Sequence, residues 1–169
     1  MSLDVGAVAK GYTAQKIAEY FTERNISGYV IDLGGNICAI GTKAGGDGWT
    51  TGIKNPLANV DTPYIAKIKI SDISCVTSGD YERYYTVGGK RYHHIIDPDT
   101  LYPADYFSSV TILTRDSALA DVLSTALFCM SESDGQSLLS NFSGVEVMWV
   151  YKNGRTSHTA GFEKLLINP

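Results

Sequence analysis

The sequence predicts an α+β fold, a mostly antiparallel sheet with helices packed on one face. Strand-like runs outnumber helical ones, and several follow one another directly, which favours antiparallel pairing over an alternating parallel sheet. Two glycine-bearing turns, Gly88-Gly89 and Asn153-Gly154, sit between such runs and read as hairpin connections. A chain of 169 residues with 44% hydrophobic content holds enough apolar material for one core. It carries no repeat, low-complexity tract or linker, so residues 1–169 read as one domain.

Along the chain, Ala9 to Arg24 places Ala14, Ile17, Ala18 and Phe21 at helical spacing, with Lys10, Lys16, Glu19 and Glu23 elsewhere. Short β-rich runs follow at Gly28 to Asp32 and Ile37 to Ile40, divided by Gly34-Gly35-Asn36, whose glycines suit a tight connection. Further strands are expected at Trp49 to Lys54, Tyr64 to Ile70, Arg83 to Val87, Arg91 to Ile95 and Phe107 to Leu113. Asp116 to Met130 reads as a second helix, apolar at Leu119, Val122, Leu123, Ala126, Leu127 and Met130, capped by Thr114 or Asp116. A third helix is expected over Ser133 to Asn141. Gly144 to Tyr151 and Arg155 to His158 then read as a closing hairpin around an Asn-Gly turn that matches strand twist. A short segment, Phe162 to Ile167, ends the pattern.

Composition excludes some classes of function. Lys and Arg total 14 against 18 Asp and Glu without a block of like charge, so no basic footprint for nucleic acid exists. No apolar stretch reaches the length needed to cross a bilayer, and Met1-Ser2-Leu3-Asp4 lacks the features of a signal peptide, so this chain reads as soluble. Cys38, Cys75 and Cys129 lack CxxC spacing; Cys38 and Cys129 lie in apolar runs and read as buried, inert thiols.

The residues that carry chemistry form a few clusters. Asp121 interrupts the apolar run Ala118 to Leu127, where a carboxylate is costly unless it is paired or holds a metal. Thr125, four residues on, puts a hydroxyl on the same side one turn along. Two oxygen donors of this kind suit Mg²⁺, which takes one or two carboxylates and completes its shell with water and phosphate oxygens. The same pair also fits a salt-bridged carboxylate at a helix edge and a threonine bonded back to the preceding turn.

His93-His94-Ile95-Ile96-Asp97-Pro98 places two histidines on a strand, where only one can face a given site. His94 shares a face with Ile96, and a neutral imidazole there would accept a hydroxyl proton or bond a phosphate or flavin oxygen. The plainer reading is two half-exposed strand histidines before an Asp-Pro turn. Thr77-Ser78-Gly79-Asp80-Tyr81-Glu82-Arg83 reads as a connection whose backbone N–H groups can approach a phosphate or ring, or as an ordinary polar turn. Lys10, beside Gly11, opens the first helix, where dipole and ammonium both attract an anion.

In this order, Asp4-Val5-Gly6-Ala7-Val8-Ala9-Lys10-Gly11-Tyr12, Gly34-Gly35-Asn36, Thr77 to Arg83, His94-Ile95-Ile96-Asp97-Pro98 and Asp121 through Thr125 resemble the FAD:protein FMN transferases, the ApbE-like family. The resemblance runs from Asp4 almost to the last residue. It implies a T-fold-like domain and an enzyme that moves FMN from FAD to a threonine of an acceptor protein, releasing AMP. It further implies that the Ala7 carbonyl, the Asp121 carboxylate and the Thr125 hydroxyl hold Mg²⁺. Asp4, Lys10, Ser78, Gly79, His94 and Ile95 would line bound FAD, with Lys10 near its phosphates. His94 and Asp121 would be the catalytic residues, His94 assisting proton removal, while Asp97 shapes its turn.

The sequence departs from the family in two places. Leu101 follows Thr100 where members commonly have glycine. Members also carry a long segment ahead of the position of Asp4, so the resemblance implies a carboxyl-terminal portion truncated at its amino end. The full-length form would resemble a membrane-anchored lipoprotein outside the cytoplasm, acting on a subunit of a redox-driven membrane complex. Two other readings share these residues: an FAD pyrophosphatase that yields FMN and AMP, and a non-catalytic flavin-binding domain.

Overall fold

The computed structural model describes residues 4–57 and 62–167. In chain order the elements are α1 (Ala9–Thr22), β1 (Tyr29–Asp32), β2 (Asn36–Ile40), β3 (Trp49–Lys54), β4 (Tyr64–Ile70), β5 (Ile73–Gly79), β6 (Tyr84–Val87) and β7 (Lys90–His93). They continue with β8 (Ser109–Thr114), α2 (Ser117–Phe128), α3 (Glu132–Leu139), β9 (Glu146–Val150), β10 (Thr156–His158) and α4 (Ala160–Glu163). A six-stranded sheet runs in the order β1-β2-β5-β8-β9-β10, and every described pairing in it is antiparallel. Two further hairpins, β3-β4 and β6-β7, stand apart from it.

Both faces of the sheet are buried, and the period of two sorts side chains between them. Val76, Val110, Ile112, Val147 and Trp149 face a cluster completed by Leu123, Leu127 and Phe128 of α2 and Leu139 of α3. Their neighbours Cys75, Leu113, Met148 and Val150 face the opposite cluster, which the β3-β4 residues Ile53, Ile68 and Ile70 fill. The expectation of helices on one face holds for α1, α2 and α3. The one-turn α4 lies on the other face, where its Phe162 is fully buried. The segment expected over Phe162 to Ile167 is thus helical at its start, then bridges β4 through Leu166 and Ile68.

The strand β5 is the largest omission from the sequence reading, which placed Thr77-Ser78-Gly79 in a connection. Ile73–Gly79 pairs with both β2 and β8, in a run whose small and polar residues give a weak β signal. The tight turn into it is made by Asp72, a non-glycine residue at φ 54°, whose Oδ1 accepts the Gly41 N–H at 2.7 Å. Gly34 and Gly35 both have positive φ, as do Gly88 and Gly89, so these two hairpins turn as expected. In the closing hairpin only Gly154 of the Asn153-Gly154 pair is left-handed, and Tyr151 N–H bonds Arg155 O across a three-residue loop, a bulged turn rather than the tight one expected.

Asp116, and not Thr114, caps α2, its Oδ1 accepting from Ala118 N at 2.8 Å and Leu119 N at 3.0 Å. Cys38 and Cys75 are buried, but Cys129, expected to be buried, is only partly so because it ends α2 at the surface. Burial raises the Cys75 thiol to about 12 and Cys129 to about 11, which keeps both protonated and unreactive at neutral pH. Among the described residues no helix is long and apolar enough to cross a membrane.

Candidate active site

The start of α1, the end of β5, the α2 face and the segment after β7 converge on an open cleft of about 740 Å³. Every site residue named from the sequence lines it. Asp4, Ala7 and Lys10 come from the approach to α1, and Ser78 and Gly79 from β5. His94 and Ile95 follow β7, and Asp121 and Thr125 lie on α2. Thr77, Glu82 and Arg83 line it too; they stood in the quoted motifs without an assigned role. Leu33 and Ile96 add apolar wall.

The centre of the arrangement is a contact between two helices. Gly11 lets α1 approach α2 so closely that a Cβ there would lie 2.2 Å from Ser117 O and 2.5 Å from Asp121 Cβ. Val8, the N-cap of α1, makes no side-chain cap bond. Asp121 Oδ2 supplies one from the other helix, accepting the Gly11 N–H at 2.7 Å. In return Gln15 Oε1 accepts the Ser117 N–H at 2.9 Å, so each helix satisfies a free N–H at the start of the other.

This exchange has a consequence for Ala7. In a regular helix the Gly11 N–H would bond the Ala7 carbonyl, four residues back. Here it is committed to Asp121, and among the described residues no backbone N–H closes onto Ala7 O. The Ala7 carbonyl is therefore an oxygen donor left out of the helical ladder, in the same cleft as the Asp121 carboxylate. Thr125 Oγ1 accompanies them; it bonds back to Asp121 O at 3.4 Å, as the plainer reading expected, and lies 3.2 Å from Ser78 Oγ. Ser78 Oγ in turn meets Ser124 Oγ at 2.8 Å.

Asp121 is 4% exposed. Burial pushes its carboxyl above the usual carboxylate range, opposed by the Gly11 N–H, by Lys10 and by the amide of Asn36. Among the described residues no three His, Cys, Asp or Glu side chains cluster for a metal. The donor set offered is one carboxylate with neutral oxygens, which suits a hard divalent cation that keeps water and phosphate in its shell.

The strand expected over Arg91 to Ile95 ends at His93, and His94 lies in the bend that follows, so the two histidines part at the strand end and not by strand alternation. His93 is buried against the edge of Phe128, its Nε2 2.9 Å from Ala104 O and its Nδ1 3.3 Å from Ile95 N. Nε2 therefore donates to the carbonyl and Nδ1 accepts from the amide, which leaves no free nitrogen. It borders a second, smaller hollow of about 480 Å³ that holds the buried Asp80 with Arg91 and Lys152. His94 faces the cleft, its Nδ1 3.2 Å from Arg83 O. A carbonyl only accepts, so Nδ1 carries the proton and Nε2 keeps its lone pair. Desolvation lowers the His94 pKa, with Arg83 and Lys10 adding repulsion, so the imidazole is neutral at pH 7.

Asp97 shapes its turn, its Oδ1 accepting from Asp99 N at 2.8 Å and Thr100 N at 3.4 Å. The turn closes through Leu101 at φ 59°, a left-handed position that suits glycine. His94 nonetheless reaches the cleft. Sequence reasoning gave no role to Asn36, Ser117 or Gln15, and no local signal marks them, since each acts through a partner distant in sequence.

Residues 1–149 match the ApbE family. The chain is 39% identical to the FAD:protein FMN transferase of Treponema pallidum, covering 95% of this chain and 47% of that protein. It is 38% identical to one from Klebsiella pneumoniae, covering 90% of this chain and 46% of that protein. A crystal structure of an ApbE protein from Thermotoga maritima superposes with TM-score 0.85 at 38% identity, covering 99% of this chain and 54% of that one. The flavin transferase ApbE from Vibrio cholerae gives TM-score 0.81 at 30% identity, covering 97% and 52%. The chain spans about half the length of these relatives.

Proposed function

The chain belongs to the ApbE family, and on that premise we propose that it forms the metal-binding portion of a Mg²⁺-dependent FAD:protein FMN transferase. The observation that carries this reading is the convergence of Ala7, Asp121 and Thr125 with a proton-accepting His94 on one cleft. Ala7 O, the Asp121 carboxylate and Thr125 Oγ1 would hold the cation. When bound, Mg²⁺ supplies charge neutralisation at a pyrophosphate.

The chain's own residues do the rest. Lys10, in the first turn of α1, adds an ammonium to the positive end of that helix, where a diphosphate binds well. Asp4, Ser78, Gly79 and Ile95 would position FAD along the cleft. His94 Nε2 takes the proton of an acceptor threonine hydroxyl as its oxygen bonds the FMN-side phosphorus. The bridging P–O bond of the pyrophosphate breaks, and AMP leaves with the electron pair. The acceptor would be a protein subunit of a redox-driven membrane complex, met by an exported, lipid-anchored form of the enzyme.

The experiment mixes the intact protein carrying this chain with FAD, Mg²⁺ and a candidate acceptor. A gain of the FMN mass on an acceptor threonine, dependent on Mg²⁺, supports the proposal. Free FMN released equally with and without acceptor makes it a pyrophosphatase instead. FAD retained without turnover makes it a binding domain.

A further inference from the structure

We propose that Asn36 is a positioning residue for Asp121: its buried NH₂ group, turned along α2 by the Ser117 contact, keeps the carboxylate on the Gly11 N–H and facing the cleft. The inference rests on the metal reading above and adds a residue to it.

Asn36 opens β2 directly after the Gly34-Gly35 turn and pairs with Val76 of β5, so its backbone is fixed from two sides. Its side chain is fully buried between β2 and the start of α2. Oδ1 accepts from Ser117 Oγ at 3.0 Å. Nδ2 is buried and has no partner at hydrogen-bonding distance. An amide N–H left this way costs about 1–3 kcal/mol, so a fold retains one for a reason.

The reason lies one helical turn along. Ser117 and Asp121 stand four residues apart on α2 and share a face. With its carbonyl drawn to Ser117, the Asn36 amide leaves its unpartnered NH₂ facing the next turn of α2, where Asp121 stands. The opposite rotamer would set Oδ1 against a carboxylate. Ser117 is held in turn, its backbone N–H bonded by Gln15 of α1. Gly11, Gln15, Ser117 and Asn36 thus fix one carboxyl group from α1, α2 and β2.

A purely structural Asn36 would tie β2 to α2 and leave cation affinity alone. The discriminating measurement is Mn²⁺ binding by electron paramagnetic resonance, with thermal unfolding alongside, on the intact protein and three variants. Asn36→Leu keeps the volume and removes the amide; it should unfold cooperatively and lose about tenfold or more in Mn²⁺ affinity, as lost partners of metal-ligating groups do. Ser117→Ala should lose less, in the same direction, because it frees the amide to rotate. Asp121→Asn should lose binding altogether.

Asn36→Leu with unchanged Mn²⁺ affinity, beside an Asp121→Asn that loses it, overturns this inference and leaves the metal reading standing. If Asn36→Leu does not fold, unchanged affinity in Ser117→Ala overturns it equally. Mn²⁺ bound as tightly by Asp121→Asn as by the parent overturns the metal reading and this inference together.

Discussion

Asp121 accepts the Gly11 N–H at 2.7 Å across 110 residues of sequence, so one carboxylate both starts a helix and faces the cleft. The salt bridge that the sequence allowed for Asp121 is absent among the described ion pairs; its structural partner is a backbone N–H instead. The N–H it takes from the α1 ladder is the one that would otherwise occupy the Ala7 carbonyl.

Gly11→Ala sets two effects against each other. Alanine gains about 1 kcal/mol in a helix interior, but the new methyl would sit 2.2 Å from a backbone oxygen of α2 that cannot move aside. Overpacking of this kind costs about 1–3 kcal/mol, and separating the helices also breaks the Asp121 bond. Urea unfolding should show a net loss of about 2 kcal/mol with FMN transfer abolished; a stabilised variant would refute the close approach.

Replacing Asp121 separates its two duties. Asp121→Asn keeps an oxygen for the Gly11 N–H and should hold the unfolding midpoint near that of the parent. Asp121→Ala removes the cap and should cost about 1 kcal/mol more. Both should lose Mg²⁺-dependent FMN transfer, and full activity in Asp121→Asn would show that the charge is not needed.

The two histidines should respond oppositely. His93→Ala removes two buried bonds and a ring packed on Phe128, so it should lower stability by about 2–4 kcal/mol. His94→Ala should leave stability nearly unchanged and lower the transfer rate by about 10²–10⁴-fold. Because desolvation lowers the His94 pKa, the deprotonated base persists to more acid pH than a free imidazole, whose pKa is about 6.5. The rate should therefore rise with pH through an inflection below that value and level off above it. An inflection above pH 7 that persists in His94→Ala would remove His94 as the base.

Leu101→Gly should stabilise the protein. Leu101 is 76% exposed, so it contributes little burial, and it holds a left-handed backbone at φ 59°. Relief of about 1–2 kcal/mol exceeds the unfolded-state entropy that glycine adds, about 0.4–1 kcal/mol. Thermal melts should rise by a few degrees; a fall would mean that the Leu101 side chain packs on a surface met only in a larger assembly.

Much of this architecture was legible in local sequence. Gly34-Gly35 and Gly88-Gly89 announced their hairpins because two consecutive positive φ values leave little alternative to glycine. Ala14 and Ala18 marked the buried side of α1 by spacing alone. The β5 strand escaped because Ser74, Thr77, Ser78 and Gly79 give no apolar alternation; its identity comes from the two strands between which it pairs. The turn after Tyr151 defaulted to the tightest form because hydrogen bonding across the loop cannot be read from Asn153-Gly154.

Sequence by itself determined the residue types that the chemistry requires and the order in which they occur. It placed Asp121 and Thr125 on one side of a helix, since the helical period is a property of the local backbone; the parting of His93 and His94 came instead from the end of β7 at His93. Tertiary structure alone decided which histidine meets the cleft, that Asp121 caps a helix begun 110 residues earlier, and that among the described residues no backbone N–H closes onto the Ala7 carbonyl. Those outcomes depend on hydrogen bonds between segments distant in sequence, and a donor's choice between its own helix and a neighbouring carboxylate is settled only when the two are packed together.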